Sequence, residues 1–279
     1  MFVFFLCSGC GQTPENTRTE PPQRIISTLP SITEVLFDIG IGDRIVGDSA
    51  FTKYPPEAAA IEKIGGLYDM NREKILSLKP DLMIFSDEST ATARTFSVPV
   101  LFVNHRTLEG MLESYRIIGQ HFGGRIQEQS VKKQKELQNK LDALAAKRKG
   151  KKAVRTLISI DRSRGTGRIQ NLFAAGSESF LNDVVVLAGG ENVAASTGLP
   201  VPVLSAEGVI QFAPEVIIDL QISGENTAQN LADWQSLGGK VPAVKNRRFL
   251  VLTEDYASIP GPRTPLLVEK IVQYFELSD

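Results

Sequence analysis

Short apolar runs alternate with amphipathic stretches along most of the chain. Residues 24–28 read as a strand that Leu29 and Pro30 interrupt, and Ser31 with Glu34 three positions on has the spacing of a capping box. A helix is expected to follow, carrying Val35, Leu36, Phe37 and Ile39 toward the core and ending near Gly40. Runs at 44–48, 81–86 and 98–103 predict further strands, and 107–122 predicts a helix. The pattern restarts at 153–160, with a helix across 178–188 ending at Gly189 and Gly190, then strands at 215–220 and 248–253. Such alternation predicts an α/β protein of parallel sheets covered by helices.

Between the halves lies a long polar segment, 125–149, in which Leu137, Leu141 and Leu144 are spaced by four and three. That spacing marks one narrow helical stripe, and no Gly or Pro intervenes before Gly150. A single helix of about 25 residues, on the order of 37 Å, is expected, acting as a stiff strut between two α/β lobes. Residues 125–152 carry ten Lys and Arg against three acids. This basic face suits a solvated helix surface, with membrane or nucleic-acid contact as the alternative.

Composition narrows the function. With 279 residues, 42% hydrophobic and 23% charged, the chain is globular, and its formal net charge of −1 argues against a dedicated nucleic-acid binder. Two histidines and two cysteines are too few for a multi-histidine metal centre or a disulfide framework, so no metal site and no cofactor is expected. Both cysteines fall within the first ten residues, after an apolar run at 2–6. This resembles the end of a lipoprotein signal, with Cys10 as the lipidated residue; incidental cysteines on an apolar terminus are the alternative. Residues 11–23 contain no large apolar side chain and are expected to form a tether.

The most informative feature is an internal echo at an offset of 134 residues. Asn71 and Ser205 are capping residues, each followed two positions later by a glutamate, Glu73 and Glu207. Pro80 and Pro214 stand seven residues beyond those glutamates, followed by an acid, Asp81 or Glu215, and a buried strand. Two lobes of one design follow, with Glu73 and Glu207 in equivalent places. Each glutamate also complements a helix dipole, which by itself would account for it.

Several segments together resemble the ABC-transporter substrate-binding proteins for cobalamin, ferric siderophores and haem. They are the stretch from Leu29 to Glu34, the turn at 40–47, Tyr54 with Pro55 and Pro56, Met70 and Asn71 with Glu73, and Lys79 to Asp81. The second half adds Ala188 to Asn192, Glu207 to Pro214, and Gly261 to Arg263. The likeness covers nearly all of 24–277 and is closest to the cobalamin-binding branch. It implies two Rossmann-like lobes with mainly parallel sheets, joined by one long rigid helix, with the ligand in the cleft between them. The expected divisions are 1–23 for the signal remnant and tether, 24–123 and 151–279 for the lobes, and 124–150 for the helix. The resemblance further implies a monomeric, non-enzymatic carrier outside the cytoplasm, here lipid-anchored through Cys10, that delivers a corrinoid or iron chelate to an ABC permease. Glu73 and Glu207 match the positions that dock onto the permease.

By the same resemblance the cleft-lining positions are Phe51, Tyr68 and Ser86 in the first lobe and Phe173, Val201, Tyr256 and Arg263 in the second. The cobalamin binder carries tryptophans where Tyr68, Ser86 and Val201 stand here; the single tryptophan, Trp234, lies elsewhere. His105, directly after a strand, reads either as a contact to the ligand or its metal, or as a loop histidine bonded to backbone. Arg162, Arg164 and Arg168 read as carboxylate holders or as surface residues, and His121 as structural. Enzyme classes lack support: there is no phosphate-cradling Gly-x-x-x-x-Gly-Lys-Ser/Thr loop and no Gly-x-Ser-x-Gly elbow. A tethered surface scaffold is the rival reading, although it has no need for paired glutamates.

Overall fold

The computed structural model describes residues 20–66, 68–222 and 227–277; Cys10 and most of the expected tether lie outside them. The first half alternates as anticipated: β1 (Ile25–Ser27), α1 (Pro30–Asp38), β2 (Ile45–Asp48), β3 (Glu62–Lys63), α2 (Arg72–Ser77), β4 (Leu82–Ser86), α3 (Thr90–Ala93) and β5 (Val100–Val103). These strands form one wholly parallel sheet in the order β3-β2-β1-β4-β5. Two helices follow, α4 (Leu108–Phe122) and α5 (Gly124–Ala146), separated only by Gly123 at φ 67. The second half comprises β6 (Val154–Asp161), β7 (Leu172–Ala174), α6 (Phe180–Leu187), β8 (Gly190–Asn192), β9 (Val203–Leu204), α7 (Ala206–Phe212), β10 (Val216–Leu220), α8 (Thr227–Gln235), α9 (Pro242–Lys245), β11 (Phe249–Leu252) and α10 (Thr264–Glu276). Its sheet runs β11-β10-β6-β7-β9, with β8 also beside β6. The β6–β7 and β7–β9 pairs are antiparallel and the others parallel, so this sheet is mixed.

Two local expectations give way. Ser31 and Glu34 form no capping box, because α1 begins at Pro30, whose fixed φ suits the first helical position, and Leu29 at the N-cap makes no side-chain bond. Both Ser31 and Glu34 are buried. Gly190 does not end a helix but opens β8; only Gly189, at φ 84, serves the turn. Asp81 accepts the backbone N–H groups of Gln23 and Arg24 at 2.8 and 3.0 Å, which fastens the approach to β1.

The echo is structural. Asn71 and Ser205 cap α2 and α7 by accepting the N–H of Lys74 and Gly208. Lys79 and Ala213, each just before its proline, both take the left-handed conformation, at φ 47 and 45. Glu215 accepts the N–H of Arg155 at the start of β6, much as Asp81 fastens the entry to β1. One pattern, used twice, turns a short helix into a central strand.

Strand alternation divides the interior. Ile25, Leu82 and Ile84 face one way from the first sheet, and Ile158, Val216 and Ile218 from the second, into a single shared core. Ile26, Met83 and Phe85 line the first sheet's other face, and Leu157, Ile217 and Trp234 the second's. Leu137, Leu141 and Leu144 of α5 are buried in the shared core, each contributing about 1.5–3 kcal/mol. The expected stripe is therefore present, yet α5 is no free-standing strut. It packs on α4, where Gly119 meets Ser130, and against α6 and α10. No helix among the described residues is long and apolar enough to cross a membrane.

Candidate functional site

In the first sheet the connections reverse direction between β1 and β4, which are neighbours. Crevices at the carboxyl ends of strands beside such a switch point are where α/β sheets bind ligands. A cavity of about 460 Å³ lies there. Leu29, Pro30 and Ser31 after β1, Phe51 and Lys53 after β2, and Ser86 at the end of β4 form its first wall. Glu88, His105 and Arg106 extend that wall. The opposite wall is built beyond the ends of β10 and β11, by Ile222, Asp255 and Ser258 to Pro260. Both sheets thus aim their carboxyl ends at one space.

The charged groups around it are largely paired. Glu88 meets Arg106 at 3.0 Å, and Arg106 reaches Glu178 at 3.6 Å. Asp255 accepts two bonds from Arg263, at 2.8 and 3.1 Å, which hold its carboxyl below the usual range against the effect of burial. Arg263 also donates to both oxygens of Glu34, with Nε to Oε2 at 3.0 Å. Burial pushes the Glu34 carboxyl up, and Arg263 opposes it. His105 is different. Its two ring nitrogens are buried without a hydrogen-bond partner, and burial pushes its pKa down to about 3, keeping the imidazole neutral. Neither of these nitrogens makes the backbone bond that a structural loop histidine would use.

Of the positions named from the sequence, Phe51, Ser86 and His105 come together in the cavity wall. Tyr68 projects almost wholly into solvent, 97% exposed, and Phe173 and Val201 are exposed outside the wall. Tyr256 is partly buried against the shared core, beside the Arg263 guanidinium. Arg263 itself stands behind the wall, stacked at 4.2 Å from the Tyr54 ring centroid. Glu73 and Glu207 lie in the first turns of α2 and α7, exposed to solvent. Hydrogen bonds within its own first turn hold the Glu207 carboxyl below its ordinary range.

Sequence reasoning missed Lys53, Arg106, Asp255 and Glu34. Lys53 adjoins Tyr54, which carried the resemblance, and Asp255 adjoins Tyr256, which the resemblance implied as a cleft position; that adjacency was the available signal. The Glu34–Arg263 pair spans 229 residues and leaves no local trace. Arg162 turns out to be neither a surface residue nor open to a ligand, because its side chain is fully buried between Asp219 and Asp233. Arg164 donates to Asp161 and to the Leu220 carbonyl, and Arg168 is exposed. His121 stacks edge-on against Phe122, consistent with a structural place.

The sequence matches the periplasmic binding protein family over residues 25–256, and the chain belongs to that family. Its class is a solute-binding protein acting outside the cytoplasm, not an enzyme. The vitamin B12-binding protein of Pectobacterium atrosepticum is 30% identical over 256 residues, covering 90% of this chain and 87% of that one. Among solved structures, the periplasmic haem-binding protein RhuT from Roseiflexus superposes with a TM-score of 0.75 at 27% identity, covering 91% and 97% of the two chains. The fold is shared as well with the periplasmic vitamin B12-binding protein of Vibrio cholerae, at a TM-score of 0.75, 24% identity, and coverage of 92% and 98%.

Proposed function

We propose that the protein captures a metal chelate of the corrinoid, haem or ferric-siderophore class outside the cytoplasm and presents it to an ABC permease. The observation that carries this reading is the cavity at the strand ends of both sheets, with the unpartnered, neutral His105 in its wall. The vitamin B12- and haem-binding relatives support the ligand class. Phe51, Ser86 and His105 are the inner contacts. A corrinoid is larger than a cavity of about 460 Å³, so part of it stands out toward exposed side chains such as Tyr68, Phe173 and Val201, with Tyr256 supporting the second wall. Residues 24–123 and 151–279 act as the two lobes and 124–150 as the connecting helix. The protein works as a monomer, anchored through a lipid on Cys10, and Glu73 and Glu207 dock one on each half of the permease.

Calorimetric titration with cyanocobalamin, cobinamide, haem and a ferric hydroxamate tests the ligand class. Saturable binding of one equivalent of at least one of them is expected; no binding of any would overturn the proposal and favour a scaffold. Heat is the better readout than fluorescence, because the one tryptophan, Trp234, lies fully buried on the far face of the second sheet.

A further inference from the structure

The Glu34–Arg263–Asp255 chain runs from one wall of the cavity to the other. Asp255 is a wall residue of the second sheet's side. Arg263, at the N-cap of α10, grips both of its oxygens. With its remaining donors Arg263 crosses to Glu34, a buried residue in α1, and its guanidinium lies over the ring of Tyr54 from the same half. Pro30 and Ser31, the first residues of α1, belong to the opposite wall. One guanidinium therefore ties a wall residue of one half to the helix that supplies the other wall. Gly261 permits the approach: a Cβ there would come within 3.1 Å of Glu34 Oε2.

We infer that Glu34 and Arg263 are positioning residues for ligand binding, which fix the spacing and angle of the two cavity walls without touching the ligand. This rests on the reading that ligand binds in this cavity. The planar fork of Arg suits the role, since two bidentate pairs fix direction as well as distance, which an ammonium cannot do. Four of its five N–H donors are bonded to Glu34 or Asp255, so little capacity remains for a ligand group. Preorganised walls raise affinity by removing the cost of bringing them together on binding.

Glu34 is the discriminating position because it does not line the cavity. The test compares wild type, Glu34→Gln, Arg263→Lys and the double variant by calorimetry, using whichever of cyanocobalamin, haem or the ferric hydroxamate wild type binds. Small-angle scattering and melting temperature are recorded alongside. Glu34→Gln keeps the shape and part of the hydrogen bonding, so a folded protein is expected with affinity reduced about tenfold. The double variant should be no weaker than the worse single one, and scattering should show a broader spread of lobe separations. Wild-type affinity in a folded Glu34→Gln protein, with loss only in Arg263→Lys, would overturn the inference and make Arg263 a direct ligand contact. If wild type binds none of the probes, the ligand class itself fails, and the positioning role falls with it.

Discussion

Replacing Arg162 by Met should strongly destabilise the second half of the chain. The Arg162 side chain is fully buried, with Nη1 donating to Asp233 at 2.6 Å and Nη2 to Asp219 at 3.1 Å and to the Asn230 carbonyl at 2.6 Å. Its guanidinium lies 5.1 Å from the Trp234 ring centroid, while the indole N–H donates to the same Asp219 oxygen. Without Arg162, Asp219 keeps only the neutral donors of Gln221 and Trp234. Asp233 keeps the backbone N–H groups of Gly165 and Gly167. Breaking a buried ion pair by removing one partner costs about 3–5 kcal/mol. At roughly 2–4 °C per kcal/mol for a chain of this size, melting should fall by about 6–20 °C. Circular dichroism gives the melting point, and emission from Trp234, the one tryptophan, reports directly on the site. Arg164→Met is the control, since its bonds reach only the exposed Asp161 and one carbonyl, and it should cost about 1 kcal/mol. A fall of under about 2 °C for Arg162→Met, or emission unchanged from wild type, would refute the reasoning.

Other expectations concern pH, the cavity and the permease. Burial pushes Asp48 up to about 6 from 3.8, despite its two bonds from Lys63. Because the folded value lies above the unfolded one, this group's contribution is fully present below about pH 4 and is lost as pH rises through 6, at most about 3 kcal/mol. Asp48→Asn should flatten the corresponding fall in urea-denaturation stability between pH 4 and 6. Phe51 is two-thirds exposed in the cavity wall, so Phe51→Ala should leave the melting point within about 1 °C yet weaken ligand binding about tenfold by calorimetry. Glu73→Lys combined with Glu207→Lys should abolish uptake by cells while leaving ligand affinity in solution unchanged; undiminished uptake would remove the docking role.

What could be read from the sequence follows the range of the interactions involved. Helix caps, prolines and strand alternation act over a few residues, so the repeated design around Asn71 and Ser205 was visible along with the stripe on α5. The antiparallel β7 and β9 were not, because short strands such as Leu172–Ala174 and Val203–Leu204 carry too few residues for a period to show. Glu34 was misread for a physical reason: a glutamate three positions after a serine suits a helix cap, but Pro30 had already fixed the helix start, which left the carboxylate free to meet Arg263. The basic appearance of Arg162 likewise hid its burial, since both acids that neutralise it lie more than fifty residues away. In the cavity, positions that the resemblance implied, such as Phe51, were found, whereas Asp255 and Lys53 gained meaning only when the ends of five strands were brought together.

The central claim is that ligand binds between the strand ends of the two sheets. Its most direct test is a crystal of the protein soaked with the tightest-binding probe, measured at the absorption edge of cobalt or iron. The anomalous peak is expected between the loop that carries Leu29 to Ser31 and the segment from Asp255 to Pro260. A single well-occupied peak outside that space, with the cavity empty, would contradict the account.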